Sequence, residues 1–164
     1  MRSRIVWAVL ILAVVLVAVV AFVLMRFNLS ALEDPGRLET SIANHGRHFL
    51  IRRASRQGTP PAPRDRKASI ASGETLYGLE CGMCHGADGC AQTNMGRWMY
   101  PRAANLTAQE VQNYSEAEMF WIINNGIRLS GMPAFNKVET EEHIWNLVDY
   151  MRTLPRDGCH EPSR

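Results

Sequence analysis

Residues 81–86 read CGMCHG: two thiols three positions apart, with an imidazole directly behind the second. On a helical turn that spacing puts Cys81 and Cys84 on one side of the backbone, with His85 one step further round. Three chemistries use two thiols and a histidine so close together. A structural zinc site would draw further ligands from Cys90, Cys159 and His160, but zinc needs four donors converging at about 2.0–2.3 Å, and this second pair lacks the spacing of a zinc knuckle. A redox-active CxxC belongs in a βαβ setting, which the surrounding sequence does not offer. The third is covalent attachment of one haem, with thioethers from Cys81 and Cys84 to its two vinyl groups and His85 reaching the iron from the same side. We read the motif as the third, implying a single haem c.

Working outward, the sequence around the motif is helical. SGETLYGLEC (72–81) leads into it, with Ser72 as the expected cap. TAQEVQ (107–112) has Thr107 and Glu110 at capping-box spacing, and SEAEMFWIINNG (115–126) repeats the device with Ser115 and Glu118 before stopping at Gly126. TEEHIWNLVDYMRTLP (140–155) opens on two acids, carries Ile144, Leu147, Val148, Met151 and Leu154 on one stripe, and ends at Pro155. No segment sustains strand alternation. The expected fold is therefore all-α, a haem domain at 69–156 built of about four short helices. A domain this small buries only about 60 % of its unfolded surface, so a bound group at its centre helps complete the core.

The amino-terminal third is of another kind. Ile5–Met25 is an uncharged apolar run that as a helix is about 31 Å long, the thickness of a bilayer's hydrocarbon. It exceeds a signal peptide's apolar stretch and no small-residue cleavage site closes it, so residues 1–26 are read as an uncleaved transmembrane anchor. Charge divides the rest: residues 1–68 hold 11 Lys and Arg against 4 Asp and Glu, whereas residues 69–164 hold 7 against 12. Residues 27–68 are expected to be a basic linker, extended and solvated from Arg47 to Ser69, where Pro60, Pro61 and Pro63 fall. Leu38, Ile42, His45 and Phe49 recur at roughly helical spacing within it, which allows a short amphipathic helix. His45 and His48 are read as surface or packing residues. Residues 157–164 form a tail.

Three stretches, GETLYGLECGMCHGADG (73–89), NGIRLSGMPAF (125–135) and EEHIWNLVDYMRTLP (141–155), make residues 72–155 resemble a class I c-type cytochrome. The resemblance implies that the methionine of the GMP loop, Met132, ligates the iron opposite His85. Met83, Met95, Met99, Met119 and Met151 are weaker choices, and His143 sits beside two first-turn acids. It also implies that the first and last helices cross at small and aromatic residues, Gly73 and Tyr77 meeting Tyr150 and Trp145. The second nitrogen of His85 is expected to donate to a carbonyl within PRAANL (101–106), and Arg97, Trp98, Arg102 and Asn105 are expected donors to the haem propionates. Cys90 departs from the family's small residue at that place. A Cys90–Cys159 disulfide is the expectation, two unpaired small thiols the alternative.

With both axial positions filled, the iron has no open site, which favours outer-sphere electron transfer over catalysis. The sequence thus reads as a membrane-anchored electron carrier in the bacterial inner membrane with its haem domain in the periplasm. Its expected partners are the lipid bilayer and redox proteins such as a membrane oxidase or dehydrogenase, with no nucleic acid. The alternatives are a haem-based gas or redox sensor, in which Met132 leaves the iron, and a cytochrome subunit of a dehydrogenase or oxidase complex.

Overall fold

The computed structural model describes residues 2–26, 30–62 and 65–159; Pro63, His160 and the rest of the tail beyond Cys159 lie outside the described residues. Two units result, residues 1–30 and 31–164. The first is one helix, α1 (Arg2–Arg26). From Ser3 to Arg26 it is the one helix among the described residues long and apolar enough to cross a membrane.

The second unit is helical throughout, with no strand among the described residues. Its frame is α3 (Arg66–Leu76), α7 (Glu116–Asn125) and α8 (Glu141–Met151). Between them come a five-residue π turn (Tyr77–Cys81), short turns α4 (Gly82–His85), α5 (Asn94–Trp98) and α6 (Gln109–Gln112), and a 3₁₀ turn (Phe135–Lys137). The α8 stripe forms the middle of the core: Ile144, Leu147, Val148, Met151 and Leu154 are all buried, joined by Phe120, Ile123 and Met119 from α7.

The crossing of α3 over α8 fixes the frame. A Cβ on Gly73 would lie 1.9 Å from the Asn146 carbonyl oxygen, so only glycine lets the two backbones come this close. One turn away, the Ser69 hydroxyl lies within hydrogen-bond distance of Asn146 Oδ1 (2.7 Å) and Asp149 Oδ2 (2.6 Å), and Arg66 pairs with Asp149 at 3.3 Å. These bonds satisfy the buried Asp149 carboxylate. Tyr77 packs against Tyr150, ring centres 5.1 Å apart. Trp145 differs from expectation: it packs on Phe120 at 4.9 Å instead, because it leaves α8 on the face turned to α7.

Helix ends follow local chemistry, with two corrections. Ser115 and Glu118 close the expected capping box on α7, worth about 1 kcal/mol, and Gly126 ends that helix at φ +66°. However, α3 starts at Asp65, whose carboxylate accepts from the Ala68 N–H, and Ser72 lies in mid-helix. Nor does Thr107 cap α6, which begins after Ala108 with no side-chain cap. Thr107 is fully buried and gives both its N–H and its hydroxyl hydrogen to Asn105 Oδ1, at 2.9 and 2.8 Å.

The linker expectation is corrected more deeply. Residues Arg37–Ser55 form α2, a 19-residue helix, and Arg66–Ser69 already belong to α3, so the extended stretch shrinks to the segment around Pro60 and Pro61. Helix α2 packs on α7: Ile51 joins the core, Ser55 is buried, and the His48 ring stacks on Tyr114 with centres 4.5 Å apart. At its start, Arg102 pairs with Asp34 at 2.7 Å and the Tyr100 hydroxyl donates to Glu39. Periodicity marked this helix, but its inner face, polar except for Ile51, concealed the docking.

The carboxyl end is tied back by a disulfide between Cys90 and Cys159, Cα atoms 5.6 Å apart and 69 residues apart in sequence.

Gly73→Ala should destabilise the helical domain by roughly 3 kcal/mol or more, since helix backbone must move to admit the methyl group; an unchanged thermal midpoint would place the crossing elsewhere. In protein purified without reductant, Cys90 and Cys159 should resist alkylation in the folded and the unfolded state. Replacing both by serine should cost at most roughly 4 kcal/mol, the chain-entropy figure for such a loop. Free reaction of both thiols before reduction would refute the bond.

Candidate haem site

The π turn delivers Cys81 into the core, where it is buried, and α4 follows without a break, bringing Cys84 and His85 within about one turn of it. An inserted π turn widens the helix just ahead of the motif and re-aims the side chains after it. Several bonds hold the motif's backbone. Tyr77 donates its hydroxyl to the Gly86 carbonyl at 2.8 Å, and burial raises its pKa, keeping the phenol a neutral donor. Thr93 donates to the Cys84 carbonyl at 3.0 Å and accepts from Gly96 N–H at 2.9 Å. Gly96 in turn sits so close that a Cβ there would lie 2.3 Å from the Cys84 oxygen.

His85 Nδ1 lies 2.8 Å from the Ala104 carbonyl. A carbonyl can only accept, so Nδ1 carries the hydrogen and Nε2 keeps its lone pair for a metal. Burial lowers the ring's pKa, opposed by the Ala104 bond, so the imidazole is neutral at pH 7, the form that ligates iron. The bond falls within the expected segment. Burial also pushes the Cys81 thiol up to about 12, with Glu80 and Cys84 adding to it. That is opposite to the depressed thiol of a redox-active CxxC.

Met132 stands in a tight loop, half-buried against the core. Ser130 donates its hydroxyl to the Ile127 carbonyl at 2.7 Å and accepts from Met132 N–H at 3.1 Å, and Ile127 N–H returns to the Met132 carbonyl at 3.3 Å. Gly126 is closed against Pro133, with a Cβ there 2.7 Å from the Pro133 carbonyl. At Gly131 the Met99 Sδ fills the open side, 2.1 Å from where a Cβ would stand, so a side chain there would have to displace the Met99 thioether. A second thioether thus lies beside the residue next to Met132, while Met119 and Met151 are core and Met83 and Met95 are exposed.

The expected propionate donors already hold protein partners. Arg102 gives one guanidinium nitrogen to Asp34, and Arg97 donates to Gln92 at 2.8 Å. Asn105 uses Oδ1 to latch Thr107, leaving its Nδ2 as donor, and Trp98 is exposed. Asn105 and Thr107 also contact the disulfide: the Thr107 hydroxyl is 3.0 Å from Cys159 Sγ. Sequence reasoning placed Tyr77 at the helix crossing with Tyr150 but missed its bond to the Gly86 carbonyl, and missed Thr93 and Met99 as supports. Thr93 was findable as a helix cap before Gly96, but nothing in the sequence signals the Tyr77–Gly86 or Met99 contacts.

These residues fit a covalently held haem. Two thiols on one turn and a neutral imidazole with a free Nε2 form the donor set. The segments that carry the donors also leave large apolar side chains uncovered, Leu79, Met83, Leu129 and Val138 among them. An apolar group bound there would cover surface that a small domain otherwise leaves in water.

Comparison with known proteins agrees. One of the solved structures similar to the chain belongs to the reducing HAO-like protein complex of Kuenenia stuttgartiensis, with a TM-score of 0.52 and 23 % identity over 60 % of this chain and 48 % of that one. The chain thus spans about half the length of that relative, and the likeness is one of fold. No curated protein matches. Residues 68–151, half of the chain and the stretch from within α3 to the end of α8, match the family model described as cytochrome c oxidase, cbb3-type, subunit III, and the chain belongs to that family of c-type cytochrome domains.

Proposed function

We propose that the protein is a membrane-anchored, single-haem electron carrier with His85 and Met132 as axial ligands and its haem domain in the periplasm. The observation that carries this reading is the His85 Nδ1 bond to Ala104, which fixes the tautomer able to ligate iron directly behind two thiols on the same turn. When bound, haem c supplies a one-electron ferric–ferrous couple. Cys81 and Cys84 would hold it by thioethers, and His85 through Nε2 and Met132 through its thioether sulfur would supply the protein ligands to the iron, so that neither side chain would need to move when an electron arrives. The soft sulfur favours the reduced state and sets a higher potential than a second histidine would. Asn105 Nδ2 and the unused guanidinium nitrogens of Arg102 offer donors for the propionates.

Helix α1 serves as the anchor, and attachment to the membrane substitutes for affinity toward membrane partners by raising local concentration. The family's description favours a second reading of the same chemistry, in which the domain is the cytochrome subunit of a membrane oxidase complex. The solved relative also comes from a multi-protein complex, in line with a redox protein as partner.

Acid extraction of the denatured chain should leave one haem bound, because thioethers survive where coordination does not; a colourless chain would end the reading. Met132→Ala should turn a haem indifferent to carbon monoxide into one that binds the gas, and should lower the potential. Full, rapid binding of carbon monoxide by the wild type would show instead that Met132 does not hold the sixth position. A form lacking residues 1–25, exported by a cleavable signal, should keep its spectrum but reduce membrane acceptors more slowly at low concentration, and raising its concentration should restore the rate. Equal rates at matched low concentration would assign the anchor another task.

A further inference from the structure

Helix α2 has two faces. Asn44, His48, Ile51 and Ser55 turn toward the domain, and Ile51 and Ser55 are buried there. On the opposite side, Leu38, Ile42 and Phe49 are 75 %, 65 % and 65 % exposed. At about 3.6 residues per turn these three fall within roughly 40° of one another, with Arg52 and Arg53 flanking the stripe. Arg52, Arg53 and Arg56 are exposed and pair with no carboxylate among the described residues. The nearby acids are already used inside the domain, Asp34 by Arg102 and Glu39 by Tyr100. An apolar stripe edged by unpaired arginines is the pattern of a helix lying in a membrane interface, apolar side down and guanidinium groups among headgroup phosphates.

Chain length identifies which surface. The apolar helix α1 ends at Arg26 and α2 begins at Arg37, so eleven residue steps, at most about 40 Å, separate the two. If α1 spans the membrane, α2 cannot leave its vicinity. We propose that α2 lies flat on the anionic surface of the membrane that α1 crosses, inserting Leu38, Ile42 and Phe49 between lipids while its other face carries the haem domain. The domain is then held in a set orientation above the lipid. This rests on α1 as the anchor and goes beyond it, since an anchor alone would leave the domain free to turn.

The test uses the full-length haem protein, with an unchanged reduced spectrum, in vesicles of equal parts phosphatidylcholine and phosphatidylglycerol, and in phosphatidylcholine alone. A p-benzoylphenylalanine photoprobe stands in place of Phe49, and in a control in place of Glu142, an exposed residue of α8. On irradiation, lipid adducts at position 49 should exceed those at position 142 by about fivefold or more in the anionic vesicles. They should fall in phosphatidylcholine alone, at high salt, and in the double variant Arg52→Glu, Arg53→Glu. Equal adducts at both positions, or adducts at position 49 to protein rather than lipid, would overturn the proposal. A salt and carbonate wash read in parallel separates the two claims. Chain retained without lipid adducts sinks only the docking of α2, and chain lost from the vesicles sinks the anchor and the docking with it.

Discussion

Backbone against backbone at Gly73 and Asn146 is the contact on which the rest of the haem domain hangs. Helix α3 runs through a π turn directly into the cysteine motif, so wherever α3 is pinned, Cys81, Cys84 and His85 are pinned with it. The pin is close because glycine permits it and polar because Ser69, Asp149 and Arg66 close a hydrogen-bonded cluster beside it. Such a cluster contributes less to stability than to register: sliding α3 by one residue would strand the Asp149 carboxylate without partners. The second support, from Ala104 to His85, sits on a different segment, tied to the core through Asn105, Thr107 and the hydrogen bonds of Gln112 to Leu106 and Met151. Ligand geometry therefore depends on two routes that meet in α8.

The cysteine motif stood out because the covalent chemistry proposed for it leaves its spacing no freedom, and α7 and α8 were legible because their stripes and caps are strong local signals. The carbonyl behind His85 could be assigned to a six-residue segment, and it lies there. Where sequence reasoning failed, composition had overruled pattern. The arginines and prolines between Arg47 and Ser69 suggested an extended chain, yet Asp65 was an available cap for α3, and Ile51 and Ser55 lie one turn apart on a helix face. The docking of that face depends on Tyr114, a residue more than sixty positions away whose ring meets His48. No local rule connects the two. Thr107 failed for a related reason: its hydroxyl could cap a helix or latch a loop, and only the position of Asn105 decides.

Docked α2 also changes how the carrier meets its partners. A free linker from Arg26 to Ser69 could stretch to about 150 Å, whereas the eleven residue steps between α1 and α2 reach at most about 40 Å. In the proposed topology the haem samples a smaller volume, nearer the bilayer, and electron exchange favours partners that are themselves in the membrane.

The Cys90–Cys159 bond carries a consequence for how the protein is made. Four thiols reach the same compartment in the proposed topology, and they must meet opposite fates: Cys81 and Cys84 stay reduced until haem is attached, while Cys90 and Cys159 are oxidised. Crossing the membrane in chain order exposes Cys81, Cys84 and Cys90 together and Cys159 last, since 69 residues separate it from Cys90. An oxidant acting early can join only wrong pairs. Those pairs are undone by attack of a thiolate on a sulfur of the bond, so a late-arriving Cys159 can capture Cys90 from a mistaken partner and return the haem-binding thiol to its reduced form. In the proposed topology the bond that ties down the carboxyl end can therefore form only once Cys159 itself has crossed, after the three earlier thiols are already exposed.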